Sequence, residues 1–117
     1  MMRRFVTYDR FDIVKVPFPF TDKQATKTRP ALVLSSREAF NEKVGHGVMA
    51  MITSAKHSAW ALDTIIDDLT TAGLPSPSLI RLKLFTLDER LVIGKLGELA
   101  KGDQARFETH FKQLFTQ

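Results

Sequence analysis

The residues of this chain best suited to chemistry are an arginine and two hydroxyls at the ends of apolar runs. Arg29, followed by Pro30, heads the run Ala31-Leu32-Val33-Leu34, and Thr53 and Ser54 close the run that begins at Val48. A guanidinium offers a planar fork of donors and does not lose its proton, and hydroxyls donate to further oxygens of the same group. An arginine where one strand begins, with hydroxyls where its neighbour ends, suits an anion such as phosphate. On residue chemistry alone, Arg-Pro before a strand also reads as plain punctuation.

Further positive charge surrounds that pair. Lys23 and Lys27 stand in the polar segment before Arg29, and Arg81 and Lys83 alternate along a later run. Arg81 and Lys83 fit contact with an anionic partner or a solvated strand face equally well. Phe18 shares a strand face with Val14 and Val16 and reads as core, whereas for Phe20 a stacking surface and a packing position stand equal. The histidines, His46, His57 and His110, fall outside these motifs and read as surface. Asp63, Asp67 and Asp68 read as turn and strand polar positions, with no second oxygen cluster to make a metal site.

The elements that must position these residues follow from pattern. The first strand is expected over Asp12 to Phe18, with Pro17 and Pro19 peeling its far end away from any central ladder. Thr21 to Thr28 reads as a loop able to cover whatever Arg29 binds. Ala31 to Leu34 is apolar on both faces, as in a strand buried between layers. Arg37 to Val44 reads as a turn or short helix capped by Ser36 and closed by Gly45. Strands follow at Gly47 to Thr53 and Ala61 to Ile66, and Asp67 to Gly73 is a short helical turn. Leu79 to Phe85 alternates, with Ile80, Leu82 and Leu84 inward and Arg81 and Lys83 outward. Thr86 to Arg90 reads as a turn and Leu91 to Ile93 as a short last strand. A final helix spans about 103 to 115, with Asp103 as N-cap and Phe107, Phe111, Leu114 and Phe115 in one stripe. Short strands plus one amphipathic helix predict a mainly β fold, a small barrel carrying a C-terminal helix.

Size and composition agree with that plan. The 117 residues suffice for one domain with its own core, here a barrel over about 11–99 followed by the helix. With 44% hydrophobic and 26% charged residues the composition is that of an ordinary soluble globular protein. No apolar run approaches membrane-spanning length, and no apolar segment follows the basic N-terminus, so neither a membrane anchor nor a signal peptide is expected. The absence of cysteine excludes disulfides, thiolate metal sites and cysteine nucleophiles, and fits a cytoplasmic protein. A net charge of +4 favours an anionic partner.

Taken in order, these motifs resemble the PemK/MazF-like toxins of type II toxin–antitoxin systems. The resemblance rests on Asp12-Ile13-Val14, Val16 to Asp22, Arg29 to Ser35 and Ile52-Thr53-Ser54. It continues through Gly73-Leu74, Pro77-Ser78, Arg81, Thr86-Leu87-Asp88 and Lys95-Leu96-Gly97, nearly the whole chain. It implies an SH3-like barrel of the PemK/MazF/CcdB type, paired as a homodimer, acting as a metal-independent endoribonuclease on single-stranded RNA. It implies Arg29 and Thr53 as the catalytic pair. It also implies an antitoxin partner whose disordered acidic and apolar tail covers the RNA groove.

Two positions depart from the family pattern. Phe11 stands where relatives usually carry glycine, and Lys83 stands where some carry an acid that takes part in cleavage. RNA supplies its own nucleophile, the 2′-hydroxyl, so such a site needs no cofactor. It must hold the phosphate, stabilise developing charge and move two protons. Arg29 would clamp the phosphate and Thr53 bond a non-bridging oxygen, with Ser54, Arg81, Lys83, Phe20, Thr21 and Lys27 holding the substrate. A non-enzymatic toxin on the same barrel, such as a topoisomerase inhibitor, or a nucleic-acid-binding barrel are the alternative readings.

Overall fold

The computed structural model describes residues 6–18, 27–56 and 58–116. Phe20, Thr21 and Lys23, with most of the expected covering loop, lie outside the described residues, as does His57. Strands β1 (Asp12–Phe18) and β2 (Lys27–Val33) are followed by a π-helical turn (Arg37–Asn41) running into α1 (Glu42–Val44). Then come β3 (His46–Ser54), β4 (Thr64–Ile65), α2 (Leu69–Ala72) and β5 (Ser78–Asp88). A 3₁₀ turn (Glu89–Leu91), β6 (Gly94–Glu98) and α3 (Lys101–Phe115) complete the chain. The strands form one curled antiparallel sheet in the order β4-β5-β3-β2-β1-β6.

Apolar residues on both faces of the central strands explain the curl, because each face needs cover. Ile13, Leu32, Ala50, Ile52 and Ile80 pack with Ile66, Leu74, Leu99 and Phe107, beneath α2 and α3. Val14, Val16, Ala31, Val33 and Met49 pack with Tyr8, Leu87 and Val92 on the other side. Burying a side chain such as Phe107 contributes on the order of 2–3 kcal/mol. Two glycines allow α2 and β6 to meet backbone to backbone. A Cβ on Gly73 would stand 2.0 Å from the Leu96 carbonyl oxygen, and one on Gly97 2.4 Å from that of Thr71. Gly73 also closes α2 in the left-handed region, φ 73°.

Several expectations need correction. Arg29 and Pro30 lie inside β2, which begins at Lys27, and not at its head. Pro30 is tolerated because β2 pairs with β3 only over Ala31 to Val33, leaving that side without a ladder partner earlier. The strand expected at 61–66 shrinks to two residues, since a turn occupies its first half. Thr86 to Asp88 extends β5, and the expected strand at 91–93 is replaced by the 3₁₀ turn and by β6, which pairs with β1.

Asp103 does not cap α3. It is buried at 2% exposure within the helix, where its carboxylate accepts the backbone N–H groups of Asp67 and Asp68, 3.0 Å each, and pairs with Arg106. The aromatic stripe of α3 is buried only at its start. Phe107 stacks on Phe111 at 5.6 Å, but Leu114 and Phe115 extend into solvent. Phe11, in the glycine position, has φ 74°, a conformation that costs a bulky residue about 1–2 kcal/mol. Its ring packs against the first core and lies under the Arg10 guanidinium at 4.7 Å. Among the described residues, no helix is long and apolar enough to cross a membrane.

Candidate functional site

Arg29 and Thr53 both lie just beyond the point where the β2–β3 ladder ends. The ladder runs Val33↔Met49, Leu32↔Ala50 and Ala31↔Met51, and two residues further in the same register Arg29 falls opposite Thr53. Residues opposite one another, and alternate residues along a strand, share a face, so Arg29 and Thr53 lie on the face of Ala31 and Met51. Both are half-buried. Val16 is paired with Arg29, which brings Phe18, two residues on, to the same face. The Arg29 guanidinium sits 4.9 Å from the Phe18 ring centroid. Phe18 thus serves as a half-buried shelf for the arginine more than as interior core. Among the described residues, no carboxylate pairs with Arg29.

Arg29 also borders a groove of about 560 Å³ between β1–β2 and α2, with Lys15, Pro30, Leu69, Leu74 and Leu96 among its lining. Its charged lining residues, Lys15 and Arg29, are both basic, and the remainder is largely apolar. Ser54 is half-buried, and its Oγ accepts the Lys56 N–H at 3.2 Å. Lys27 is exposed at the start of β2, opposite Phe18.

Arg81 differs from its expected place on a solvated strand face. Its residue is 8% exposed, because Asp63, the Ser58 carbonyl and the Trp60 ring close over it. β5 carries two extra residues against β3, so that Ala50 pairs with Leu84 and Met51 with Arg81. A two-residue slip preserves the face, and Arg81 lies on the face of Met51, Arg29 and Thr53, while Leu84 is 38% exposed where it was expected inward. Lys83, in the irregularity itself, is exposed.

Arg81 is held by Asp63. Nε donates to Oδ1 at 3.2 Å and Nη2 to Oδ2 at 2.9 Å, the bidentate geometry of a strong pair. Burial opposes ionisation of Asp63, but hydrogen bonds from Arg81 and from the Trp60 N–H outweigh it and hold its carboxyl below the usual range. The hydrogen bond to Asp63 likewise raises the pKa of Arg81. Position 83 lacks the acid of some relatives, yet a carboxylate does reach Arg81, from 18 residues earlier in the chain. Asp63, read from sequence as a polar strand position, is therefore the partner that sequence reasoning missed. His110 was likewise read as surface, but it is half-buried on α3, with Nδ1 2.6 Å from the buried Thr64 hydroxyl.

A curled sheet with an arginine and a threonine on one face beyond the end of a ladder, the arginine without a carboxylate partner among the described residues, is the arrangement of this small barrel. Residues 9–115 match the family of PemK-like, MazF-like toxins of type II toxin–antitoxin systems, and the chain belongs to that family. The fold is similar to MazE–MazF from Deinococcus radiodurans (TM-score 0.73, 20% identity, covering 96% of this chain and 98% of that one). It is also similar to the Mycobacterium tuberculosis toxin MazF-mt6 (TM-score 0.69, 20% identity, 89% and 95% covered). A third similar fold is an endoribonuclease in complex with its cognate antitoxin from a mycobacterial species (TM-score 0.68, 14% identity, 91% and 90% covered). No curated protein sequence matches the chain.

Proposed function

We propose that this protein is a toxin that cuts single-stranded RNA, messenger RNA in the cytoplasm, without a metal ion. The observation that carries the reading is the placement of Arg29 and Thr53 on one face at the parting of β2 and β3, with no carboxylate on Arg29 among the described residues. Arg29 clamps the scissile phosphate and balances the charge that builds on its oxygens, and the Thr53 hydroxyl donates to a non-bridging oxygen. The 2′-oxygen attacks phosphorus as its proton leaves, the bond to the 5′-oxygen breaks, and that oxygen takes up a proton. The products are a 2′,3′-cyclic phosphate and a 5′-hydroxyl end. Ser54, Lys27 and Lys83 contribute to holding the strand, with Phe20 and Thr21 from the segment between β1 and β2.

The partner that silences the toxin fits the groove beside Arg29. An antitoxin tail of acidic and apolar residues would match its apolar lining and Lys15, with Arg29 bordering it from the strand's other face. Membership in a toxin–antitoxin family supports that partner, and two of the similar structures are complexes with an antitoxin. The chain pairs as a homodimer in this reading. Exposed Val6, Val44 and Ile93 share the rim of a second cavity of about 650 Å³ and would gain from such cover.

The test is incubation of the purified protein with a long single-stranded RNA in EDTA, with 5′ ends mapped and 3′ ends analysed. Discrete cuts ending in cyclic phosphate are expected. Intact RNA from folded protein would reject the reading.

A further inference from the structure

The loop between β3 and β4 is built around a tryptophan that no step above uses. Trp60 is 48% exposed, and the Arg81 guanidinium lies 4.9 Å from its ring centroid. A single exposed aromatic residue is ordinary, but this one is braced from several directions. Arg81 Nη2 donates to the Ser58 carbonyl at 2.6 Å, and the Trp60 N–H donates to Asp63 Oδ2 at 2.8 Å. Asp63 returns its own N–H to the Trp60 carbonyl and its carboxylate to Arg81. Between them Leu62 is held at φ 67°, a left-handed conformation that costs a leucine about 1–2 kcal/mol. Ala59 and Ala61, small and exposed, leave the approach to the ring open.

The position of the loop gives the ring a purpose. It leaves the sheet directly after Thr53 and Ser54, and it is fastened to Arg81 on the face that carries Arg29 and Thr53. We propose that Trp60 is a base-stacking platform beside the cleavage site, with Arg81 and Asp63 as positioning residues that fix the plane of its ring. Arg81 fills one face, and a nucleobase of single-stranded RNA fills the other. An ordered ring loses little freedom on binding, so stacking is retained as affinity and as a preference for the base at that place. The inference rests on the proposed RNA-cleaving function and deepens it.

Trp60 is the only tryptophan in the chain, so its emission reports on itself. Short fluorescein-labelled 2′-O-methyl oligoribonucleotides of A, C and U, which lack the nucleophile, are titrated into the homodimeric protein while anisotropy and tryptophan emission are followed. Binding is expected to quench the emission. Trp60→Ala is expected to weaken binding by about 5–100-fold, the equivalent of about 1–3 kcal/mol of stacking, and Trp60→Phe to recover most of it. Circular dichroism confirms that each variant is folded. Oligonucleotides that bind without changing the emission, and equally well to Trp60→Ala, would overturn the platform and leave the RNA-cleaving reading standing. No binding of any oligonucleotide by folded protein would bring down both. Emission that responds to polyglutamate and not to RNA would assign the ring to an acidic protein partner and overturn the proposal.

Discussion

Arg29 and Arg81 lie on one face of the same sheet, and each guanidinium sits 4.9 Å from an aromatic centroid. Their surroundings otherwise differ. Arg81 is closed in by a bidentate carboxylate and a carbonyl, whereas no carboxylate among the described residues answers Arg29. A cation already neutralised has little to offer a phosphate, and one without a carboxylate partner keeps most of its charge for a ligand. In the proposed reading the same residue type is thus a clamp in one place and a brace in the other. Arg10, over Phe11 and paired with Glu108 at the exposed surface, is a third variant of the arrangement.

The widest separation between the two arginines is expected in activity. Arg29→Ala should lower the cleavage rate by about 10²–10³-fold, as when a charge-stabilising donor is removed from an active site. Its stability should stay within about 0.5 kcal/mol of wild type in denaturant titration. Arg29→Lys should restore only part of the rate, because an ammonium lacks the planar fork.

Stability should separate them in the opposite direction. Arg81→Met strands the Asp63 carboxylate at 10% side-chain exposure, which costs about 2 kcal/mol, between the surface and fully buried limits, or roughly 8 °C in Tm. Asp63→Asn should destabilise in the same direction, and the double variant should cost less than the sum of the two. Gly97→Ala touches neither arginine. It presses a methyl group into the backbone of Thr71 and Ala72 and should cost about 1–3 kcal/mol, read as a lowered denaturant midpoint.

Acid should weaken the brace. The folded-state pKa of Asp63 lies below its unfolded value, so the pair's contribution is complete above about pH 4 and is lost as pH falls through the folded value. Asp88, drawn down to about 2 chiefly by the hydrogen bond from Arg90, follows the same sign between about pH 4 and about pH 2. Thermal melts from pH 7 to pH 3 should therefore decline less steeply for Asp63→Asn than for wild type. The smallest effect concerns Phe11: Phe11→Gly should be more stable than Phe11→Ala by about 1 kcal/mol, since only glycine takes φ 74° without strain. Equal midpoints would show that the left-handed turn carries no strain.

The motifs behind the proposed clamp were legible in the sequence and the brace was not. Arg-Pro within an apolar run and Ile-Thr-Ser at the end of another are local signals, and the register of β2 and β3 puts both on one face of the sheet. The resemblance reached the same family that the match over residues 9–115 shows. Strict alternation along Leu79 to Phe85 separated Arg81 from Ile80 and Leu82 correctly, but that face is covered at Arg81 by Asp63 and Trp60, and nothing local marks the cover. Asp63 and Asp103 looked like a polar strand position and a cap because their partners, Arg81 and the N–H groups of Asp67 and Asp68, are far away in the chain. Trp60 gave no periodic signal at all. Tertiary pairing, not propensity, gives these residues their roles.

The most direct measurement is single-turnover cleavage of one RNA by Arg29→Ala and Arg81→Met side by side, in EDTA, at a temperature where both are folded. Arg81→Met should cut at saturating protein within about tenfold of wild type while requiring more protein to reach half-saturation, and Arg29→Ala should fall about 10²–10³-fold at any concentration. Equal losses in the two variants, or undiminished cutting by Arg29→Ala, would contradict the division of the site into a clamp and a brace.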